Sequence, residues 1–473
     1  VALVFSYLDL LGILYFPLLM YFGQQVVQKN SNHFLYRKYF MTGLRYKLIA
    51  SVFFYFVYVF YYKGGDSCNF FAIGKALNMH MLTRDFFGGL NLIFSNTTPK
   101  NGYFPLPLIL DVNAYESLYL LRDVTSMMIG RIAAIFGLLG LNSYMCTGLI
   151  FSYVSYLMIF RVFVMFCELY PTKHKEFSFS FLKIFSVLFW GSHVNKDTVC
   201  LALLCLIIYL LHRMFIQFKV SPVNIIGLIV SVIIVFIVKN YVLVAALPGM
   251  IYWIMRKNQE KLFGGMMSKL FAPIMIGVAG ILVFLLYGSL AQNFEQLSSE
   301  ELEKKAAGFQ SWHQTIQEDK GGSGYTLGAD LDYSVGSIIR YAPQAIAITL
   351  FGPFPWQARN LVMALSALEA LYFLYLFLNA MFRRGGTARI LKVLDDPVMF
   401  FCLTFVLIMA IAIGLTSFNY GALVRYRIPL MPFFSVLLIL LSGEKIIKRK
   451  SVGIKPNSYP IKKPQSNLQS KFN

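Results

Sequence analysis

SVFFYFVYVFYYKGGDSCNFFAIGKAL, residues 51–77, joins an aromatic, β-branched run to a short polar turn and then to a second helical pattern. The run reaches back to residue 43, and an α-helix needs roughly 20 apolar residues to cross a ~30 Å hydrocarbon layer. Lys63, Gly64, Gly65 and Asp66 mark where the chain leaves that layer. Whether the protein is a membrane bundle depends on whether such runs recur.

They do. Apolar spans can be marked at 1–23, 43–62, 145–167, 177–190, 199–211, 223–238, 241–256, 271–289, 360–382, 398–415 and 427–443. Those at 177–190 and 199–211 are short, so a tilted pair or a re-entrant hairpin is expected. The stretches 124–140 and 339–352 are apolar but interrupted. Composition agrees: of 473 residues 58% are hydrophobic and 14% charged, with mean hydropathy +0.63, whereas soluble domains carry about 25% charged residues. The expected fold is an all-α polytopic transmembrane bundle of about 11–13 membrane helices. Residues 1–443 are expected to form one integral membrane domain, and the basic tail 444–473 to be disordered.

The net charge of +20 could suggest nucleic acid. Its distribution gives a simpler account. The segments 24–47, 168–176, 212–222, 256–270, 383–397 and 444–473 hold 25 Lys/Arg, and all fall on one side if the eleven marked spans cross. Positive residues collect on the cytoplasmic side of membrane proteins, so membrane lipids, not nucleic acid, explain the charge. The N-terminus is then extracytoplasmic and the C-terminus cytoplasmic. Residues 1–23 lack a basic leader and a small-residue cleavage site and read as a retained helix. Cysteines 68, 146, 167, 200, 205 and 402 have no CxxC spacing and mostly lie in apolar runs.

Two long extracytoplasmic loops follow, 63–144 and 290–359, the first carrying short interfacial helices. The same face collects the unusual polar motifs: Asp66 in GGDSCNFF, His193, Lys196 and Asp197 in FWGSHVNKDT, Lys239 in VKNYV, Arg340 in IIRYAP, Trp356 and Arg359 in PFPWQARN, and Arg425 and Arg427 in NYGALVRYRIP. Polar groups at a membrane are costly and tend to mark function. Each also has a plainer reading. Asp66 can N-cap the next helix after Gly64 and Gly65 end the previous one, or act as a base. Lys196 can pair with Asp197 in a turn or hold a phosphate as a point charge. His193 is a general-acid candidate or simply polar. Arg425, Arg427 and Trp356 can be interfacial anchors or line an anionic lipid site. Glu369, near the middle of its span, is expected to face the bundle, to pair with Arg161 or Lys183 or to be protonated; the alternative is a transport path. No metal site is indicated, since His193 and Asp197 at i, i+4 lack a third ligand. Nucleotide loops with GK[ST], HExxH and GxSxG are absent.

GGDSCNFFAIGKAL resembles the acidic loop and helix that follow an early membrane helix in the GT-C class of polytopic glycosyltransferases. RYRIPLMPFF is similar to the start of a late helix in many of them. The resemblance implies a polyprenyl-phosphate-linked sugar donor and inverting transfer in a bacterial inner membrane. Asp66 would be the base, and Lys196, Lys239, Arg340, Arg359, Arg425 and Arg427 candidates for the leaving phosphate. It leaves room for a divalent metal. Two departures stand out: Asp66 is alone where many members have paired acids, and an extra helix precedes the motif helix. The alternatives are a lipid-linked polysaccharide polymerase or ligase, and a non-enzymatic transporter or structural subunit.

Overall fold

A segment inside a bilayer must satisfy its backbone polar groups internally, which leaves the helix as the natural local solution for these apolar runs. The computed structural model describes residues 6–95, 121, 123–263, 324–325, 327, 335–382 and 393–443. The expected span 271–289, much of the second long loop and the tail 444–473 lie outside the described residues.

After a 3-10 turn, Tyr7–Leu11, come α1 (Gly12–Lys29), α2 (Met41–Phe56), α3 (Asp66–Thr83), α4 (Phe86–Phe94), α5 (Val124–Leu139) and α6 (Tyr144–Leu169). Next are α7 (His174–Leu182), α8 (Phe185–Trp190), α9 (Lys196–Leu211) and α10 (Pro222–Phe263). The last group is α11 (Val335–Phe351), α12 (Leu361–Phe382), α13 (Pro397–Thr416), α14 (Tyr420–Tyr426) and α15 (Met431–Ser442). Among the described residues there is no strand, only one bridge between Gly324 and Asn419. Among the described residues seven helices are long and apolar enough to cross a membrane, or eight if α14 and α15, bent by 71°, form one span. The protein is an all-α integral membrane bundle.

Several spans take a form that hydropathy alone does not reveal. The stretch 177–190 is not one helix: α7 ends at Leu182, and Ile184 is extended (φ −60°, ψ 122°) before α8 begins. The spans 223–238 and 241–256 are one helical run, α10, broken at Lys239 (φ −152°, ψ 77°). Both arms of α10 return to the far end of α9. Gly227 packs on Leu210, the His212 and Trp253 rings are 5.6 Å apart, and Asn258 donates to the Phe215 carbonyl at 2.9 Å. The run is therefore a hairpin with Lys239 at its tip. Near the end of the chain, the expected helix 427–443 begins with a bend, and Arg427 lies in it.

Helix α5 covers the doubtful stretch 124–140 and lies across one end of the bundle. At its start Asp123 meets Lys196, the first residue of α9. Just past its finish Ser143 donates to Asp9, beside the start of α1. Helix α3 packs along α5 so closely that a Cβ on Gly74 would come within 2.8 Å of the α5 backbone at Gly130, Ala133 and Ala134. Small residues allow this approach where helices cannot rely on a hydrophobic drive to associate. The other doubtful stretch, 339–352, is α11, packed on α13.

Helix α1 exposes Ile13, Leu14 and Leu18 and is fastened by a buried carboxylate in the turn before it. Asp9 accepts hydrogen bonds from Tyr55 (3.0 Å), Ser143 (2.7 Å) and the Met145 amide (3.2 Å). Lys47, which charge sorting assigns to a basic loop, is instead buried and donates to the Gly191 carbonyl at the C-terminus of α8. The opposite end of the bundle carries its own polar contacts, His33–Glu168 and Tyr170–Asp396.

Gly74→Val should force α3 off α5. Overpacking of this kind costs about 1–3 kcal/mol, so a lower thermal midpoint in detergent is expected, with Gly336→Val, which meets open space, as the unaffected control.

Candidate functional site

The turn before α3 decides where the Asp66 carboxylate goes. Lys63, Gly64 and Gly65 have φ of 54°, 143° and 116°, and the Gly65 conformation (ψ −176°) is one that only glycine adopts readily. Gly65 therefore takes the N-cap position and Asp66 becomes the first helical residue, with no side-chain cap on α3. The capping role expected of Asp66 is not the one it plays. Its Oδ2 instead accepts from Arg425 Nη2 at 3.2 Å, across 359 residues of chain.

Arg425 leads inward. Its Nε lies 3.8 Å from Asp197 Oδ2, and Lys239 Nζ donates to Asp197 Oδ1. Trp190 lies under the Arg425 guanidinium at 5.5 Å, and Tyr426 under the Lys239 ammonium at 4.7 Å. Four charges thus alternate in sign, Asp66, Arg425, Asp197 and Lys239, supplied by α3, α14, the start of α9 and the α10 tip. Exposure falls from the outer pair to the inner: the Asp66 side chain is 52% exposed and Arg425 22%, against 1% for Asp197 and 7% for Lys239.

A cavity of about 440 Å³ opens on the exposed end of this chain. Tyr58, Tyr62 and Trp190 supply aromatic walls, Gly64, Gly65 and Asp66 the α3 turn, and Asn360, Met363 and Ser366 the side formed by α12. Sequence reasoning does not single out Tyr58, Tyr62 or Asn360. Tyr58 and Tyr62 are spaced i, i+4 just before the acid turn, a pattern that could have marked a shared wall.

Of the six expected phosphate-binding cations, Arg425 alone lines this cavity. Lys196 is not paired with its neighbour Asp197. It reaches Asp123 Oδ2 at 3.2 Å and the Thr125 hydroxyl, with Phe70 beneath it at 5.4 Å. Lys239 is sealed against Asp197. Arg427 is fully buried and donates to the Thr349 and Gly352 carbonyls, capping the C-terminal end of α11, so it is neither an interfacial anchor nor a cavity residue. Arg359 is exposed next to the cavity residue Asn360, and Arg340 is exposed over the Tyr341 ring at 5.6 Å. Trp356, 77% exposed, stacks on Phe354 away from the cavity lining.

His193 is fully buried between Phe54 and Tyr144, in space left by Gly148, and neither ring nitrogen has a hydrogen-bond partner. Burial holds its imidazole down at about 3, a neutral ring. Glu369 pairs with neither Arg161 nor Lys183. It accepts from the Ser186 amide (2.8 Å) and hydroxyl at the start of α8, while Arg161 lies over Tyr209 and Lys183 is exposed. Among the described residues no three His, Cys, Asp or Glu side chains gather as metal ligands, and the Arg425 cation beside Asp66 is a poor neighbour for one. No family model matches this chain, and no curated protein or solved structure is similar to it.

Two measurements probe this electrostatic frame. Removing one member of a buried ion pair costs about 3–5 kcal/mol, whereas replacing both by apolar groups is often near neutral. Lys239→Met should therefore destabilise the protein strongly to chemical unfolding in detergent, and Asp197→Leu/Lys239→Met should recover most of the loss; equal losses would sink the pairing. The second concerns Asp123. Burial pushes its carboxyl up, but Lys196 and the Ser126 and Thr125 hydroxyls outweigh that and hold it at about 2. A depressed folded pKa stabilises above the unfolded value and loses that contribution as pH falls through the folded value. The gap in thermal midpoint between wild type and Lys196→Met should thus be widest above about pH 4 and close toward pH 2.

Proposed function

We propose that the protein is a membrane glycosyltransferase that moves a sugar from a polyprenyl-phosphate-linked donor to an acceptor hydroxyl in the Asp66 cavity. The Lys/Arg of segments 24–38, 168–176 and 212–222, at the opposite end of the bundle, support an extracytoplasmic site in a bacterial inner membrane, with the N-terminus on the site's side. The observation that carries the reading is a half-exposed carboxylate in an aromatic-walled cavity, beside an arginine held by a buried acid.

In this reaction the acceptor oxygen bonds to the anomeric carbon as its proton passes to Asp66 Oδ1. The bond from that carbon to the phosphate oxygen breaks, and the electron pair leaves with the phosphate. Transfer inverts the carbon. Arg425 neutralises charge as it develops on the leaving phosphate, the larger electrostatic contribution in such chemistry. Tyr58, Tyr62 and Trp190 offer flat apolar faces to a sugar ring or to the first isoprene units.

The pairing of Lys239 with Asp197 and of Lys196 with Asp123 favours a second reading, a non-catalytic subunit in which the network is purely structural. The two separate cleanly. In nanodiscs supplied with polyprenyl-phosphate-linked sugars and hydroxyl acceptors, Asp66→Asn should lower turnover by about 10²–10⁴-fold, the range for loss of a general base. Wild-type turnover in both Asp66→Asn and Arg425→Ala would refute the transferase reading, and normal folding without transfer in any form would favour the subunit.

A further inference from the structure

Arg425 stands between two carboxylates of unequal standing. Asp197 is buried and locked by Lys239, while Asp66 is half exposed and holds Arg425 through one contact of 3.2 Å. That contact is the guanidinium's one hydrogen bond among the described residues; Nε is buried without an acceptor. A guanidinium offers five N–H donors in a planar fork. If the Asp66 carboxylate left, Arg425 would keep its counter-charge in Asp197 and its platform in Trp190. The cavity beside it is bounded by Gly64 and Gly65, which contribute no side chains to obstruct an incoming group.

We infer that Asp66 is the exchangeable occupant of an anion site. A phosphate oxygen entering the cavity takes the Arg425 donors, and the Asp66 carboxylate swings free. An exposed ion pair changes an equilibrium constant by a factor of about two to five, so a ligand making a bidentate, charge-assisted contact displaces it. The buried Asp197–Lys239 pair does not exchange, and it keeps Arg425 in place. The exchange needs no chemistry; that the freed carboxylate then serves as a base rests on the transferase reading above. In that reading the leaving group's own phosphate releases the base, so Asp66 is held by Arg425 until a donor arrives.

The consequence is contrary to ordinary intuition about a binding-site acid. Removing the competing carboxylate should tighten phosphate binding even as it removes the base. Affinity is measured for inorganic phosphate with purified protein in detergent, and for phosphatidic acid in phosphatidylcholine nanodiscs. Asp66→Asn should bind at least one probe about two- to fivefold more tightly than wild type, with the gain shrinking in high salt. Arg425→Gln should abolish binding in both backgrounds. Tightening with inorganic phosphate indicates a water-borne ligand, and tightening with phosphatidic acid alone a lipid headgroup; either supports exchange. Unchanged or weaker binding to both probes in Asp66→Asn overturns it, even if transfer is lost. Conversely, tighter binding in a protein that never transfers sugar leaves the exchange standing and removes the transferase reading.

Discussion

The buried contact between Asp197 and Lys239 sets the geometry of the charged end. Two full charges lie 1% and 7% exposed where water cannot solvate them, so each is tolerable only at the other's side. Asp197 is at the start of α9, and Lys239 is at the tip of the α10 hairpin. Sliding the hairpin by one helical turn, about 5.4 Å, would strand Lys239 and leave Asp197 only the longer contact to Arg425. Such a pair adds little net stability but penalises every other register. Arg425 joins from α14 through the second Asp197 oxygen, and Asp66 joins from α3 through Arg425. The cavity's shape is therefore downstream of a contact that does not touch it.

The helices were legible in the sequence because bilayer thickness demands long apolar runs, and α2, α6, α9, α12 and α13 follow them closely, whereas the span expected at 1–23 continues to Lys29. What hydropathy could not convey is direction. Lys239 sits between two apolar runs and reads as a short outer loop, yet the backbone needs one non-helical residue to reverse. The failure at 177–190 is of the same kind. The break at Ile184 creates a new helix start, whose free Ser186 amide receives Glu369. A mid-span acid can find a backbone partner as well as a cation, and sequence inspection weighs only the cations. Lys47 and Arg427 err in the same direction: both look like interfacial positive charges, and both instead donate to carbonyls at helix C-termini, where cations are favoured.

The site was partly legible. Sorting polar motifs by side brought Asp66, Asp197, Lys239 and Arg425 to one end, and they do meet there. It could not rank them, because partners lie as far as 359 residues apart and burial is invisible in a motif. A cation in a polar turn looks the same whether it is sealed, as Lys239 is, or faces a cavity, as Arg425 does. Gly64 and Gly65 were read as punctuation; their positive φ angles are what release Asp66 from capping and aim it at Arg425.

Charge balance gives the arrangement its character. Asp66, Arg425, Asp197 and Lys239 sum to zero, and Lys196 is matched by Asp123. This network is not a positive field that gathers anions from a distance, since long-range steering needs an excess of one sign. The anion binding proposed here would therefore be local and would begin by disturbing a pair that already exists. The gradient of exposure decides which pair yields. Solvent screens the outer contact and weakens it, while the inner contact is shielded by α9, α10 and Tyr426. In the proposed exchange, the Arg425 cation that lines the cavity is already neutralised by Asp66, so only a ligand that can replace a carboxylate donor for donor displaces it.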